Sequence, residues 1–260
     1  MLTEEHPVKS TGLDAVALKP TECDVSRAAT LPVDTLAIDY EGREHLPDPE
    51  TLSALAAEND VYVTTPVRAD GFDPLGDDSL VAGLPPTVNR VLVAGHSAYL
   101  SPEEQQRAVA PRLGAAREQA PDAWVGTEGV ERVAMAAGGT QYDLLSRSTD
   151  RDLQALRAAG FDGDVVVYAP TVLTDDENAV LDAVGPYTAR RRPVANALPD
   201  DAATDADAEG RARDVLSKAV RDYALVGTPD TVADRVTGLK AAGADAVVGY
   251  PARGLDEFGT

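Results

Sequence analysis

The chain has 260 residues, which can bury one barrel-sized core or two small ones. Its 44 acidic and 23 basic residues give a net charge of -21, which argues against nucleic-acid binding because a polyanion would be repelled. No apolar run approaches the roughly 20 residues needed to cross a bilayer, which excludes a membrane span. The amino-terminal sequence has no basic segment followed by an apolar one, so we expect a cytoplasmic protein without a secretory signal.

The charge also bears on habitat. Such crowded acidity favours a salt-rich cytoplasm, where screening over about 3 Å at molar salt makes it tolerable, although an ordinary acidic protein is the alternative. Cys23 is the single cysteine, which excludes an intrachain disulfide and a multi-thiolate metal site. Because no His, Asp or Glu cluster has metal-ligand spacing either, we predict no metal site.

Eight apolar runs alternate with helical segments along the chain. The predicted strands are Leu13–Leu18, Val33–Ile38, Asp60–Thr65, Asn89–Ala94, Ala123–Gly126, Tyr142–Ser146, Asp164–Ala169 and Ala244–Tyr250. The predicted helices are Glu22–Ala29, one opening at Asp48, a short one within Pro74–Gly83, then Ser101–Gln119, Val130–Ala137, Asp150–Ala159, Thr174–Tyr187, Arg211–Tyr223 and Pro229–Ala242. Residues 195–210 are acidic and of low complexity, which predicts a solvated insertion.

This alternation predicts a parallel sheet, because parallel strands need a helical crossover between them. Eight such units favour a single-domain α/β fold, a closed (β/α)8 TIM barrel, over an open sheet. About ten residues follow the last predicted strand, too few for a full closing helix, so the barrel is expected to be shortened at that end.

Active sites of such barrels lie at the carboxyl ends of the strands. His96 follows the fourth strand, and an imidazole there is a candidate proton donor or acceptor, or else a residue that only holds the loop. The substrate-binding candidates at other strand ends are Thr65, Arg68, Tyr168 and Tyr250. The strand ends also carry Lys19 and Asp39.

A possible anion site follows the fifth strand. Gly126, Thr127 and Gly129 join that strand to a helix, and exposed amides at a helix start can bind a phosphate. Glu128 lies between them, and its carboxylate would compete with a phosphate for the same amides. A plain turn between strand and helix is the alternative interpretation.

The most specific motif begins at Val226: V-G-T-P-D-T-V-A-D-R-V-T-G-L-K-A-A-G-A-D. It resembles the carboxyl-terminal signature of the luciferase-like flavin and deazaflavin oxidoreductases. Two earlier segments also resemble that family, namely the loop at Gly126 and the Y-D-L-L-S strand with the D-V-V-V-Y-A-P strand behind it. The resemblance covers residues 123–251, about half of the chain.

The resemblance implies a barrel that binds flavin mononucleotide (FMN) or a deazaflavin (coenzyme F420) and transfers hydride to or from a small organic substrate. Deazaflavin members of that family are common in archaea, so the resemblance together with the inferred salinity implies a haloarchaeal member. It implies cofactor binding by Gly126, Thr127, Gly129, Ser146 and Arg147, with His96 near the reacting edge. Glu128 and the absence of the family's A-D-G step depart from the pattern.

Three hypotheses therefore stay open. The first is a luciferase-like oxidoreductase acting on a small molecule. The second is a degenerate barrel without cofactor that serves as a binding or structural subunit. The third is a cofactor-free lyase or isomerase using His96 and Lys19. A homodimer is compatible with each of them.

Overall fold

The computed structural model describes residues 6–259. Residues 1–5, which open the segment searched for a secretory signal, lie outside the described residues, as does residue 260. No helix in the described part of the chain combines the length and the apolar character that a membrane span requires.

Strands and helices alternate as the apolar pattern predicts. The strands are β1 (Ala15–Leu18), β2 (Thr35–Ile38), β3 (Asp60–Pro66), β4 (Asn89–Val93), β5 (Trp124–Gly126), β6 (Gln141–Leu144), β7 (Val165–Val172), β8 (Leu225–Val226) and β9 (Ala246–Pro251). The helices are α1 (Pro7–Ser10), α2 (Pro49–Leu55), α3 (Pro102–Gln106), α4 (Val109–Gln119), α5 (Glu131–Ala137), α6 (Thr149–Ala158), α7 (Glu177–Ala189), α8 (Arg192–Ala195), α9 (Gly210–Tyr223) and α10 (Pro229–Ala242).

Eight of these strands close into a ring. Strands β1 to β7 pair with their neighbours in order and in parallel, β7 pairs with β9, and β9 pairs with β1. The two-residue strand β8 pairs only with the end of β7, beyond the run of β7 that pairs with β6. The predicted single-domain (β/α)8 TIM-barrel architecture is confirmed, with the last predicted strand as β9.

Alternation along the strands divides the core into two layers. Residues of one parity face outward and pack beneath the helices, as Leu36 and Val63 do. Residues of the other parity fill the bore of the barrel. There, small alanines on β1 and β2 lie in one cluster with the large rings on β3, β5, β6, β7 and β9.

The predicted helix over Ser101–Gln119 is wrong in one respect, because it is two helices. Ser101 caps α3 with a complete capping box that uses Glu104, as its sequence predicts. Helix α3 ends at Gln106, and α4 starts at Val109. Pro111 explains the break: it has no N–H to donate to the carbonyl of Arg107, so the helix restarts with the proline in its first turn.

The closing of the barrel's outer layer uses short pieces rather than an eighth full helix. A 3-10 turn, Leu255–Phe258, follows β9, and α1 lies beside it. Phe258 and Val8 are both almost completely buried in the cluster that covers β1 and β2. Apolar side chains from both ends of the described chain therefore cover this side of the ring.

The acidic segment 195–210 lies against the fold. Ala208 is buried with Leu216 in the cluster between α7 and α9. The amide of Ala206 donates to Asp182 on α7 at 2.9 Å. At Gly185, an added Cβ would come within 2.1 Å of the carbonyl oxygen of Thr204. The segment is polar in composition but approaches α7 closely along its backbone.

This close approach gives a stability prediction. Gly185→Ala should lower the free energy of unfolding by about 1–3 kcal/mol, because the methyl group overlaps a backbone oxygen that cannot move alone. Gly114→Ala in α4 is the matched control, since its Cβ meets nothing within 4 Å. It should raise the free energy by about 0.5–1 kcal/mol. Urea unfolding in concentrated KCl measures both, and equal effects would contradict the packing described here.

Candidate functional site at the barrel mouth

His96 lies at the outer edge of the mouth. Its side chain is exposed, Nδ1 accepts a hydrogen bond from the amide of Ala98 at 3.1 Å, and its ring packs at 6.0 Å from that of Tyr99. These contacts hold the loop after β4 in shape. The structure does not place the His96 ring among the groups inside the mouth, and its predicted catalytic role remains a prediction.

Thr65 lies on β3 and points away from the bore, and Arg68 follows the strand. Thr65 is fully buried on the outer face, where its hydroxyl accepts from Arg90 Nε at 3.2 Å. Arg68 donates to the carbonyl oxygens of Ala94, Gly95 and Gln105, at 2.7, 2.8 and 2.8 Å. The guanidinium thus ties the loops after β3 and β4 together.

The loop after β5 is closed by the chain's own carboxylates. The amide of Gly129 donates to Glu131 at 3.2 Å, and Glu128 pairs with Arg191 at 3.1 Å. Thr127 is buried, and its hydroxyl donates to Asp143 at 2.5 Å. A phosphate at this turn would have to displace one carboxylate and lie beside another.

Gly126 and the following candidates occupy separate positions. Gly126 ends β5, where an added Cβ would come within 2.8 Å of Val93 in the bore, so the glycine permits close packing of the two strands. The amide of Ser146 donates to Thr149 Oγ1 at 2.8 Å, at the start of α6. Arg147 is exposed in the same turn. The hydrogen bonds of Ser146 stay within residues 146–149, so they do not connect this turn to Gly129.

Tyr168 and Tyr250 are brought together. Their rings stack at 6.4 Å with an angle of 10°. The ammonium group of Lys19, after β1, lies 4.0 Å from the centroid of the Tyr250 ring. The Tyr250 hydroxyl donates to Glu22, which also accepts from Lys19 at 3.4 Å. Burial raises the pKa of both tyrosines, so their hydroxyls remain protonated at neutral pH.

Asp39, at the barrel mouth, has a carboxyl group with a raised pKa. It follows β2, and its amide donates to the carbonyl of Leu18 at 2.8 Å, which extends the pairing of β1 and β2. Its pKa is raised from 3.8 to about 7, chiefly by burial; Lys19 acts in the opposite direction, and the nearby charges of Glu41 and Glu22 add to the rise. A carboxyl of this kind can both donate and accept a proton near neutral pH.

The bore beneath Asp39 is filled by a ladder of aromatic rings. Tyr62 and Trp124 stack at 3.9 Å, Trp124 and Tyr142 at 5.6 Å, and Tyr142 meets Tyr168 edge-on at 5.9 Å. These rings make the floor of the mouth apolar. The Tyr142 hydroxyl is buried there without a hydrogen-bond partner among the described residues.

An acidic cleft adjoins the mouth on its β2–β4 side. It has a volume of about 630 Å³ and is lined by Tyr40, Glu41, Arg43, Asp70, Tyr99 and Glu104, among others. Glu41 is only 7% exposed and accepts from Thr21 N at 2.9 Å and from Tyr99 Oη at 3.4 Å. Within residues 6–259 no group of three or more His, Cys, Asp or Glu side chains could hold a metal ion.

The sequence places Lys19 and Asp39 at strand ends, and Lys19 is a candidate only in the lyase or isomerase hypothesis, whereas Asp39 is not among the predicted site residues. The signal for Asp39 is a carboxylate directly after the buried run T-L-A-I. The apolar pattern predicts Tyr142 only as the first residue of a strand. Its signal is parity, because it lies two positions before Leu144 on the face that meets the bore.

The sequence of the chain matches one known protein family. Residues 8–258 match the sequence profile of a family of unknown function, DUF7388. The chain belongs to this family. No curated protein matches the DUF7388 chain.

Two solved structures share its fold. One is an F420-dependent secondary alcohol dehydrogenase in complex with an F420-acetone adduct, with a TM-score of 0.57, 11% identity and 92% of each chain covered. The other is the monooxygenase RslO1 from Streptomyces bottropensis, with a TM-score of 0.52, 18% identity and 94% of each chain covered. At these identities the likeness shows the fold of the DUF7388 chain.

Asp39 predicts a specific pH dependence of stability. Its folded pKa of about 7 lies above its ordinary value of 3.8, so the folded state keeps a proton that the unfolded state releases. This contribution is fully present below about pH 4 and is lost as the pH rises to about 7. Asp39→Asn removes the loss and should be more stable than the wild type by about 1–3 kcal/mol at about pH 8, with a smaller gain at about pH 5. Urea unfolding at both pH values measures the difference; a gain that does not grow with pH would contradict the assignment.

Proposed function

We propose that the protein is a luciferase-like oxidoreductase that acts on a small organic molecule at the barrel mouth, with FMN or a deazaflavin as hydride carrier. The observation that carries the proposal is Asp39, which directly follows β2 at the carboxyl end of the strands, has a pKa of about 7, and acts through its charge on Tyr142, Tyr168 and Tyr250. The fold shared with an F420-dependent dehydrogenase and a monooxygenase supports the reaction class. When bound, a flavin-type cofactor would supply the hydride chemistry.

The chain's own residues would move the proton and exclude water. Asp39 would exchange a proton with the substrate oxygen or nitrogen, since its pKa matches neutral pH. Lys19 would keep a positive charge beside it, held over Tyr250 and against Glu22. The rings of Tyr168 and Tyr250 would shield this exchange from water from below.

The residues at the predicted phosphate cradle do not fit a phosphate. Glu131 already accepts from the Gly129 amide, and the carboxylate of Glu128 lies beside it, paired with Arg191. We therefore expect a bound cofactor to place its phosphate away from this turn. The same closed loop favours a second candidate function, that of a cofactor-free barrel serving as a binding subunit.

The net charge of -21 also leads us to propose that the protein works in a salt-rich cytoplasm. Assays are therefore designed in about molar KCl, where charges on the surface are screened over about 3 Å.

A titration with FMN and with F420, followed by absorbance and fluorescence, separates the two functions. We expect one cofactor to bind with micromolar affinity, which is the tightness a resident cofactor requires. Lack of binding by both would refute the oxidoreductase proposal and favour the cofactor-free subunit.

Two glycine variants test whether the phosphate of the cofactor binds at the turn after β5. Gly129→Asp adds a carboxylate at the predicted cradle, and Gly160→Asp is its matched control, since both glycines have positive φ, +73° and +84°, and open space for a Cβ. We expect equal affinity in the two variants. A selective loss of about tenfold in Gly129→Asp would show that the loop opens to hold the phosphate.

A further inference from the structure

The hydroxyl of Tyr142 is buried and forms no hydrogen bond with the described part of the chain. The residue is 5% exposed, and its ring is held between Trp124 and Tyr168 in the ladder. Its hydroxyl has no hydrogen-bond partner among the described residues. Leaving a buried hydroxyl unpaired is unfavourable, so a residue of this kind indicates that something outside the chain completes its hydrogen bonding.

Asp39 follows β2, which lies opposite β6 and Tyr142 in the ring of eight strands. The negative charge of Asp39 raises the pKa of Tyr142, of Tyr168 and of Tyr250, so all three side chains lie within its electrostatic influence. Asp39 keeps partial solvent access, whereas Tyr142, Tyr168 and Tyr250 are buried residues. The carboxyl is therefore more accessible to solvent than these three tyrosines.

The other charged groups around Asp39 come from separate loops. Lys19 and Glu22 come from the loop after β1, and Glu41 comes from the loop that Asp39 itself begins. Tyr99, from the loop after β4, also feels the charge of Asp39. Each of these groups has a partner: Glu22 bonds with Lys19 and Tyr250, and Glu41 with Thr21 and Tyr99.

We propose that the floor of the mouth binds an uncharged molecule through a carbonyl oxygen, which accepts hydrogen bonds from the Tyr142 hydroxyl and the Asp39 carboxyl. This inference names the substrate class of the proposed function and rests on it for the position of the site. It does not depend on which cofactor binds. Tyr142 and Asp39 supply the two donors, and the aromatic rings supply the apolar contact.

The charge pattern selects an uncharged ligand. Glu22 and Glu41 repel an anion, and an ammonium cation has no acceptor atom for the hydrogen bonds that Tyr142 and protonated Asp39 donate. Both tyrosine and protonated carboxyl groups donate through O–H, and an acceptor-only oxygen accepts from both. Because burial keeps Tyr142 protonated at neutral pH, its hydroxyl always has a proton to donate.

The single tryptophan reports directly on this site. Trp124 stacks on Tyr142, so a ligand that reaches the Tyr142 hydroxyl should change the indole fluorescence. Three five-membered-ring probes differ mainly in charge: N-methylpyrrolidone is a neutral carbonyl acceptor, N-methylpyrrolidinium a cation, and cyclopentanecarboxylate an anion. The full chain is titrated with each in about molar KCl without cofactor.

We expect saturable binding of N-methylpyrrolidone alone, tightening as the pH falls through about 7 because protonated Asp39 becomes a donor. Tyr142→Phe should weaken binding by about fivefold to tenfold, the loss of one hydrogen bond. It should also raise the melting temperature, because it removes a buried hydroxyl without a partner. Asp39→Asn, whose amide always donates, should bind equally well across this pH range.

The matched control is Tyr62→Phe, because Tyr62 stacks on the same indole at 3.9 Å but lies near the amino-terminal end of β3. This variant should change the fluorescence intensity, because the ring stacks on Trp124, but should leave the affinity for N-methylpyrrolidone unchanged. The proposal is overturned if no probe binds, if a charged probe binds better, or if Tyr142→Phe and wild type bind equally. Since no cofactor is present, these results are independent of the FMN and F420 titration.

Discussion

Packing across the bore governs the rest of this structure. The alanines on β1 and β2, such as Ala17 and Ala37, leave space that the rings from β3, β5, β6, β7 and β9 fill. This unequal division of volume lets an eight-stranded ring close without an interior channel. Because the bore is filled by apolar side chains, polar groups lie at the carboxyl ends of the strands. Asp39 is there, with the apolar rings on one side and the charged loop residues on the other.

The same packing gives the mouth its chemistry. A carboxyl in open water would titrate near its ordinary value, but the ring floor removes water from one side of Asp39 and raises its pKa. The loops above are held by the chain's own contacts, with Glu41 bound by Thr21 and Tyr99, and Arg68 bound to three backbone carbonyls. The groups around the carboxyl are therefore positioned before any ligand arrives.

The turn after β5 shows that this chain can share a fold with the two solved structures without sharing their loops. A barrel architecture can be kept while its loops change, because strands and helices carry the stability and loops carry the site. In this chain Glu128 and Glu131 occupy the position where a phosphate was expected, and Arg191 compensates one of them. The chemistry of this chain therefore depends on the groups at the barrel mouth and not on the turn after β5.

Local sequence determined the strands, the helix caps and the parallel ring, because these depend on apolar periodicity and on residues such as Ser101 and Pro229 at helix starts. It also placed Asp39 at a strand end. Only the tertiary structure decided that the exposed His96 accepts from the Ala98 amide and that the Tyr142 hydroxyl lacks a partner among the described residues. The physical reason is that burial, pKa and hydrogen bonding depend on residues that meet across the bore from distant parts of the chain.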